Sequence, residues 1–317
     1  MLGRLYVLLE TVDRSLLFAG GFIICILAVG TIYTEATQGN ALLLSPTYLL
    51  LQLKVASFLG IVAAAMMMVV LLGHIDLSVP WTIAASAMLA TAWGGAMAMP
   101  IGLAFGLAVG IFNGLGVAYL RVPSMIFTLG VNVVLRGFMV MLTGGFSPSS
   151  EPTPIMLYLA KGALFGVPIP VFIWAAVGVV VTFLLRRTPM GRYVYAIGNR
   201  QAAVFLSGVN DRLVLVASFA FCSMLAALAG LLIAGYSSKA FQAMGDSYLL
   251  PSIAAVVIGG ANILGGSGRF SGTVAGTILI VLLQSVLSVM QMPEAGRQII
   301  YGLVIIAMLL AYGRSAK

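Results

Sequence analysis

His74 is the single histidine of the chain, and Asp76 and Ser78 follow it at two-residue intervals in "GHIDLSV" (73–79). An imidazole beside a carboxylate and a hydroxyl is raw material for a metal site or for nucleophilic catalysis. A metal centre needs three or four protein ligands. Neither a second histidine nor a cysteine lies nearby, so no metal and no cofactor is expected. Covalent catalysis needs a base oriented on a nucleophile. His74 is the sole candidate base and nothing beside it marks a nucleophile, so an intramembrane enzyme is the weakest reading. The plainer reading is a helix start. Asp76 and Ser78 precede an apolar run with Pro80 in its first turn, which predicts a structural cap from one of them, with His74 closing the preceding helix. An intramembrane acid can also carry protons, so Asp76 separates a scaffold from an ion-coupled carrier.

Three more polar residues fall inside apolar runs. Arg136 stands six residues before the expected end of its run at Leu142, about 9 Å below it at 1.5 Å per residue. A charge at that depth either snorkels to the surface or works, by bonding solute hydroxyls or orienting a gate. Asn113 and Asn132 are amides that donate and accept without charge. That suits a polyhydroxylated solute and suits interhelical bonding equally. Asn113, Asn132 and Arg136 are the candidate solute path. Cys25 and Cys222 lie in apolar runs and read as small core residues. No G-x-x-x-x-G-K-[ST] loop is present to hold ATP. The nearest stretch, "GGSGRFSG" (265–272), lacks the lysine, and its glycines suit a tight turn and close helix packing.

The elements that position these residues are membrane helices. Hydrophobic residues make up 62% of the 317 and charged residues 8%, with a mean hydropathy of +1.14. Soluble domains carry about 25% charged residues, so this chain has too few to cover a water-facing surface. An integral membrane protein follows. The seventeen methionines, as in "AAAMMMVV", fill gaps between helices rather than hold a cofactor. Apolar runs at about 16–33, 52–72, 79–95, 97–118, 124–142, 167–185, 212–235, 248–264, 271–290 and 297–312 predict an all-α polytopic fold of about ten spans. No stretch is long and polar enough for a second domain, so 1–317 is read as one transmembrane domain. No small-x-small cleavage site follows Arg4 and Arg14, so the first run is read as an uncleaved span.

Ten spans put both termini on one side. With the N-terminus inside, eleven of the sixteen basic residues fall on inner segments and four on outer ones, with Arg136 in a span. That bias predicts both termini in the cytoplasm. It also accounts for the net charge of +8 without nucleic acid. The longest outer segment, about 143–166, carries prolines and polar residues suited to a cap or a short re-entrant piece. "VVLLGHIDLS" (69–78) and "AVVIGGANILGG" (255–266) resemble one another, and both close spans running inward, which hints at a parallel repeat.

The main inner feature is about 186–211. Within it Ala202, Phe205, Leu206 and Val209 fall at i, i+3, i+4 and i+7, one apolar face of a short helix, with Val204 off the pattern. Such a helix either rests on anionic lipid or docks a partner protein.

"RRTPMGRYVYAIGNRQAAVFLSGVN" (186–210) resembles the cytoplasmic coupling loop of permease subunits from bacterial ABC importers of the ribose, xylose and galactose type. "GHIDLSV" is similar to that family's Gly-Gly-Ile-Asp-Leu-Ser-Val. "RVPSMIFTLGVNVVLRGFMVMLTGG" (121–145) and "SIAAVVIGGANILGGSGRFSGTVAGT" (252–277) resemble two further family segments. The likeness covers most of 60–312 in order and spacing. His74 and Pro80 stand where the family has glycine; Ala202 and Phe205 stand where it often has an acid and an arginine.

The resemblance implies a permease of the bacterial inner membrane that is not itself an enzyme. It implies import of a monosaccharide or related polyol and a separate cytoplasmic ATP-binding subunit. A periplasmic or extracellular solute-binding protein and a second permease copy, identical or not, would complete the assembly. It implies that Gly191, Arg192, Tyr195, Ala196, Ile197, Gly198, Ala203, Leu206, Ser207 and Gly208 form the ATPase-coupling loop. The rival reading is an ion-coupled secondary transporter of a small polar solute, which would need intramembrane acids, and only Asp76 qualifies.

Overall fold

The computed structural model describes residues 14–39, 42–293, 295–303 and 306. Both chain ends, with Arg4, Arg314 and Lys317, lie outside the described residues, as does most of the expected tenth span beyond 303. The helices are α1 (Arg14–Gln38), α2 (Pro46–Val70), α3 (Val79–Trp93), α4 (Ala98–Tyr119), α5 (Ser124–Thr143), α6 (Pro154–Lys161), α7 (Ile169–Arg187), α8 (Pro189–Leu206), α9 (Asp211–Ser237), α10 (Asp246–Ile258) and α11 (Phe270–Val289). Residues 295–303 are also helical. Among the described residues the only strands are a tiny antiparallel hairpin, Ala163–Leu164 against Val167–Pro168. The chain is a mostly helical, polytopic membrane protein.

Seven described helices are long and apolar enough to cross a bilayer: α1, α2, α4, α5, α7, α9 and α11. The expected third and eighth spans are shorter than foreseen, with 15 residues in α3 and 13 in α10. At 1.5 Å per residue each covers about 20 Å of a hydrocarbon core about 30 Å thick. The remaining length is irregular chain, at 71–78 before α3 and at 259–269 after α10. Residues 73–78 fall between the expected second and third spans, whereas 259–264 read as the end of the eighth, because apolar composition cannot separate helix from buried loop. The segment expected outside, about 143–166, contains α6, whose Met156 and Ala160 are buried. Gly235 of α9 lies against the Met156 carbonyl.

The core is α2 and α9 with α3, α4, α10 and α11 around them. Every residue of α2 from Ala56 to Val70 is buried. In α4, Gly102, Gly106, Gly110 and Gly114 recur every fourth residue and so share one face. A Cβ at these positions would run into Leu231, Ala227 and the backbone of Ser223, Phe219 and Val216, all on α9. The stripe lets the two backbones close together, which is how helices associate where lipid offers no hydrophobic drive. α1, α5 and α7 are the outer helices. They carry exposed Phe22, Ile32, Val134, Met141, Val179 and Phe183 on the outside of the bundle. Cys25 lies on the exposed face of α1, so its expected core position is corrected; Cys222 is buried and both are free thiols.

Helix directions alternate, so the C-terminal ends of α2, α4, α7 and α10 and the N-terminal ends of α5, α9 and α11 meet at one end of the bundle. Arg121, Arg186, Arg187, Arg192, Arg200, Arg212 and Arg269 belong to segments at this end, and α8 lies across it.

Candidate functional site

α2 stops at Leu71. Gly73 takes a positive φ of 79°, where glycine is the easy residue, and the chain then climbs back into the bundle without helical hydrogen bonds. In hydrocarbon each backbone N–H of such a segment must find a partner inside the protein. α5 supplies them. Ile75 N–H donates to Ser124 Oγ at 3.4 Å, and Leu77 N–H to Thr128 Oγ1 at 2.9 Å. Trp81 N–H, an orphan of the first turn of α3, donates to Asn132 Oδ1 at 3.3 Å. His74 Nδ1 also meets Ser124 Oγ at 3.1 Å. Ser124, Thr128 and Asn132 are four residues apart and so form one stripe of α5; Arg136 continues it. Asn132 is thus an interhelical tie, as one of its two sequence readings holds. Ser124 and Thr128 escaped the sequence reading, although their four-residue spacing with Asn132 and Arg136 was the signal.

Behind this segment lies a closed polar knot. Asp76 Oδ1 accepts Ser78 N–H at 2.9 Å and the Ser78 hydroxyl at 2.6 Å. Ser223 Oγ of α9 donates to Asp76 Oδ2 at 3.3 Å. Asn113 Nδ2 of α4 donates to Ser78 Oγ at 2.7 Å and lies 3.5 Å from both carboxylate oxygens. Asp76, Ser78, Asn113 and Ser223 are all fully buried. One expectation is corrected here. Ser78 occupies the N-cap position of α3, but its hydroxyl makes no capping bond because it is turned to Asp76. Asn113, like Asn132, is an interhelical tie, as one of its two sequence readings holds. Ser223 could not be found from sequence, since nothing there sets which face of α9 meets α4.

α8 closes the arginine end. Thr188 caps it, accepting Gly191 N–H at 3.3 Å. Gly191 lies against the carbonyls of Leu184 and Leu185, and Val194 and Ile197 are buried. Tyr195 Oη donates to the Gly268 carbonyl at 2.8 Å and Asn199 Nδ2 to that of Gly266 at 3.1 Å. Burial pushes the Tyr195 phenol above its ordinary range, opposed by the nearby Arg186 and Arg269. A Cβ on Gly198 would overlap the Leu71 carbonyl oxygen and the Gly266 backbone. Gly266 N–H in turn donates to that Leu71 carbonyl at 2.9 Å. The two look-alike stretches, 69–78 and 255–266, therefore meet each other directly beneath α8.

At Arg200 the backbone is extended (φ −159°, ψ 89°), and α8 bends. Beyond the bend, Ala202, Phe205 and Leu206 of the expected apolar face point away from the bundle. Val204, which broke the apolar pattern, is the buried anchor. Phe205 is 67% and Leu206 85% exposed. Ala202, Ala203, Ser207 and Gly208 are exposed as well, as are Arg192 and Ala196 on the first half. The helix turns its larger apolar side chains away from the bundle. Gln201 Nε2 donates to Asp211 Oδ2 at 2.9 Å, and the Arg212 guanidinium lies over the Tyr119 ring.

Two cavities flank the unwound segment. One of about 740 Å³ at the arginine end is lined by His74, Arg121, Gln201, Phe205, Asp211 and Arg212. The other, about 450 Å³, lies at the opposite side and is lined by Pro80, Asn132, Asp246, Gln284, Arg297 and Gln298. Arg136 is exposed on α5 and acts electrostatically on Asp246. Asn132 thus lines this second cavity, while His74 lines the first. Among the described residues no cluster of histidine, cysteine and acids could hold a metal ion.

Residues 48–309 match the family described as the branched-chain amino acid transport system / permease component. A ribose import permease protein of Haemophilus influenzae is 34% identical over 270 residues, which cover 82% of this chain and 83% of that one. A xylose transport system permease protein of the same organism is 29% identical over 347 residues, covering 88% and 92%. An autoinducer 2 import system permease protein of Escherichia coli is 33% identical over 212 residues, covering 67% and 62%. No solved structure matches.

Proposed function

The chain belongs to the branched-chain amino acid transport system / permease component family and is a multi-pass inner-membrane permease subunit of an ABC importer, and from that premise we propose that it imports a monosaccharide or a closely related polyol. ATP is hydrolysed by a separate subunit, because the chain has no phosphate-binding loop. The relatives that carry ribose and xylose in their names support the substrate class.

One observation carries the coupling assignment. α8 is anchored to the bundle by Val194, Ile197 and Val204 yet holds Phe205 and Leu206 outward, 67% and 85% exposed. Large, clustered apolar side chains at a water-facing end belong to an interface. The segment 186–211 of the single transmembrane domain 1–317 is the handle gripped by the ATPase, with Gly191, Arg192, Tyr195, Ala196, Ile197, Gly198, Ala203, Leu206, Ser207 and Gly208 forming it. Arginines in segments at the same end orient that face to the cytoplasm, with both termini on that side of about ten spans. Motion of α8 reaches Leu71 and Gly266 through Gly198, and from Leu71 passes into the unwound segment and its ties to α5. Ridge and gate are thereby one mechanical unit.

Two permease copies, identical or related, pair so that the solute path runs at or near their interface. α5 is the helix that faces it, since Arg136 and much of its apolar surface are uncovered in one chain. Asn132 and Arg136 meet solute from the outer side, which an external binding protein delivers. The unwound segment and the knot of Asp76, Ser78, Asn113 and Ser223 hold the path closed.

The test is reconstitution. The chain, its ATPase subunit and its binding protein are placed in proteoliposomes, with labelled D-ribose and D-xylose as probes. Uphill uptake is expected only with ATP and all three components, and unchanged by a protonophore. Accumulation driven by an ion gradient, with the ATPase left out, overturns the proposal in favour of a secondary transporter.

A further inference from the structure

Between α7 and α11, with Leu53 of α2 at its floor, runs a groove of about 740 Å³ on the outside of the bundle. Its wall along α7, from Val171 to Phe183, is almost wholly apolar. Those 13 residues rise about 18 Å, close to the depth of one leaflet of a hydrocarbon core about 30 Å thick. Gly178 sets the shape. A Cβ there would come within 2.7 Å of the Phe270 ring, so glycine lets that ring lie against α7. The groove then ends abruptly on Arg186 and Arg187, both exposed in the last turn of α7. None of the residues lining it is acidic.

Length, composition and charge together describe one kind of occupant. A smaller apolar pocket of about 260 Å³ shares Leu53 and Ile278 and continues the seam away from the arginines, so what marks a lipid rather than a partner helix is the end of the groove on two exposed guanidinium groups with no acid beside them. A soluble anion would leave the apolar wall bare. We propose that the α7–α11 groove is a site for an anionic phospholipid, with an acyl chain along Val179 and Phe270 and the phosphate on Arg186 and Arg187. Basic pockets between membrane helices recognise acidic headgroups in this way, and arginine takes phosphate with two parallel donors. The headgroup then sits at a mechanical joint. Thr188, the cap of α8, follows Arg187 directly, and Arg186 lies near Tyr195, which is tied to Gly268. A bound phosphate fixes the corner from which α8 departs. This last consequence rests on reading α8 as the coupling helix; the lipid site itself does not.

The experiment uses the full chain, purified and stripped of lipid, and titrates phosphatidylglycerol against phosphatidylcholine of the same acyl chains, with bound lipid counted by native mass spectrometry. Wild type is expected to prefer phosphatidylglycerol about thirtyfold, the scale set by two arginines near a headgroup. Arg186→Gln with Arg187→Gln should erase the preference while phosphatidylcholine binding persists. Ala175→Trp, which fills the exposed groove wall without touching the arginines, should remove binding of both lipids. Thermal unfolding in phosphatidylcholine checks that each variant is folded. Equal binding of the two lipids by wild type, or a preference that survives the double glutamine variant, overturns the site. So does an Ala175→Trp chain that keeps its lipid but loses pairing with a second copy, which would make the groove a protein interface. Uptake in the reconstituted system reports separately on the coupling consequence.

Discussion

Gly266 N–H donates to the Leu71 carbonyl oxygen at 2.9 Å, and this bond joins the two irregular stretches that replace full-length spans in the fold. Gly198 of α8 lies against both residues, close enough that any side chain would strike the Leu71 oxygen. The bond and the glycine make a joint where the ridge outside the bundle touches the closed segment inside it. Rigid packing of this kind passes a displacement on, because close-packed contacts shift as bodies rather than compress.

The joint is tested by Gly198→Val. Its branched side chain has no room between Leu71 and Gly266, so α8 must lift. Overpacking costs about 1–3 kcal/mol, and the purified protein should unfold at a lower temperature while uptake is lost. Ala203→Val is the control, since Ala203 is exposed and its fold should be untouched. Normal uptake by Gly198→Val would show that α8 does not act through this contact.

The outward side chains are tested apart from the joint. Leu206→Asp places a charge on a residue that is 85% exposed, so stability should hold. In a docked interface a central apolar anchor is worth about 2 kcal/mol or more, roughly thirtyfold in affinity at 1.4 kcal/mol per decade. The ATPase subunit should co-purify poorly with this variant and with Phe205→Ala. Unchanged co-purification from both would remove the ridge from the interface.

Much of this was legible in the residues and some of it was not. The apolar runs marked the seven long helices, because spanning a bilayer demands about twenty apolar residues and little else does. The break at 73–78 fell between two expected spans, but the same composition hid the start of the other, 259–264, inside the eighth, since a buried loop in a membrane protein is as apolar as a helix. Gly73, with Gly265 and Gly266, all at positive φ, was the local sign of a break. α8 was visible as an amphipathic stretch whose apolar face meets lipid or a partner, and Ala202, Phe205 and Leu206 do point away from the bundle. Its anchor was not visible, because Val204, off that pattern, is buried beyond the bend at Arg200. Asn113 and Asp76 were each singled out, for different reasons. That they bond in one knot with Ser223, 147 residues from Asp76, depends on the glycine stripe that brings α4 onto α9.

The stripe on α5 gives a test with a built-in rescue. Thr128 Oγ1 accepts Leu77 N–H at 2.9 Å and itself donates to the Ser124 carbonyl at 2.8 Å. Thr128→Val keeps the shape and removes the acceptor, leaving a buried N–H without a partner at a cost of about 1–3 kcal/mol. The unfolding temperature should fall. Thr128→Ser restores the hydroxyl and should restore the temperature. A valine variant as stable as wild type would mean that the unwound segment does not depend on α5.

Asp76 decides between a scaffold and a carrier, and its partners set the expectation. All of them donate: the Ser78 N–H and hydroxyl, the Ser223 hydroxyl and the Asn113 amide. A scaffold requires acceptors there, and a charge is not needed for that. In Asp76→Asn the new carbonyl keeps both Ser78 bonds. The new amide faces Ser223, whose hydroxyl can turn to accept, and Asn113, whose Oδ1 has no partner among the described residues and can be brought round by an amide flip. One bond is lost in the rearrangement, about 1 kcal/mol. Uptake per folded transporter should therefore persist in Asp76→Asn, with a modest fall in unfolding temperature. Asp76→Leu offers no acceptor, strands several buried donors and should leave little folded protein. A carrier behaves otherwise, because an amide cannot bind and release a proton. Loss of uptake in Asp76→Asn at wild-type membrane levels, with the wild-type protein sensitive to a protonophore while ATP is held constant, would return the carboxylate to a working role.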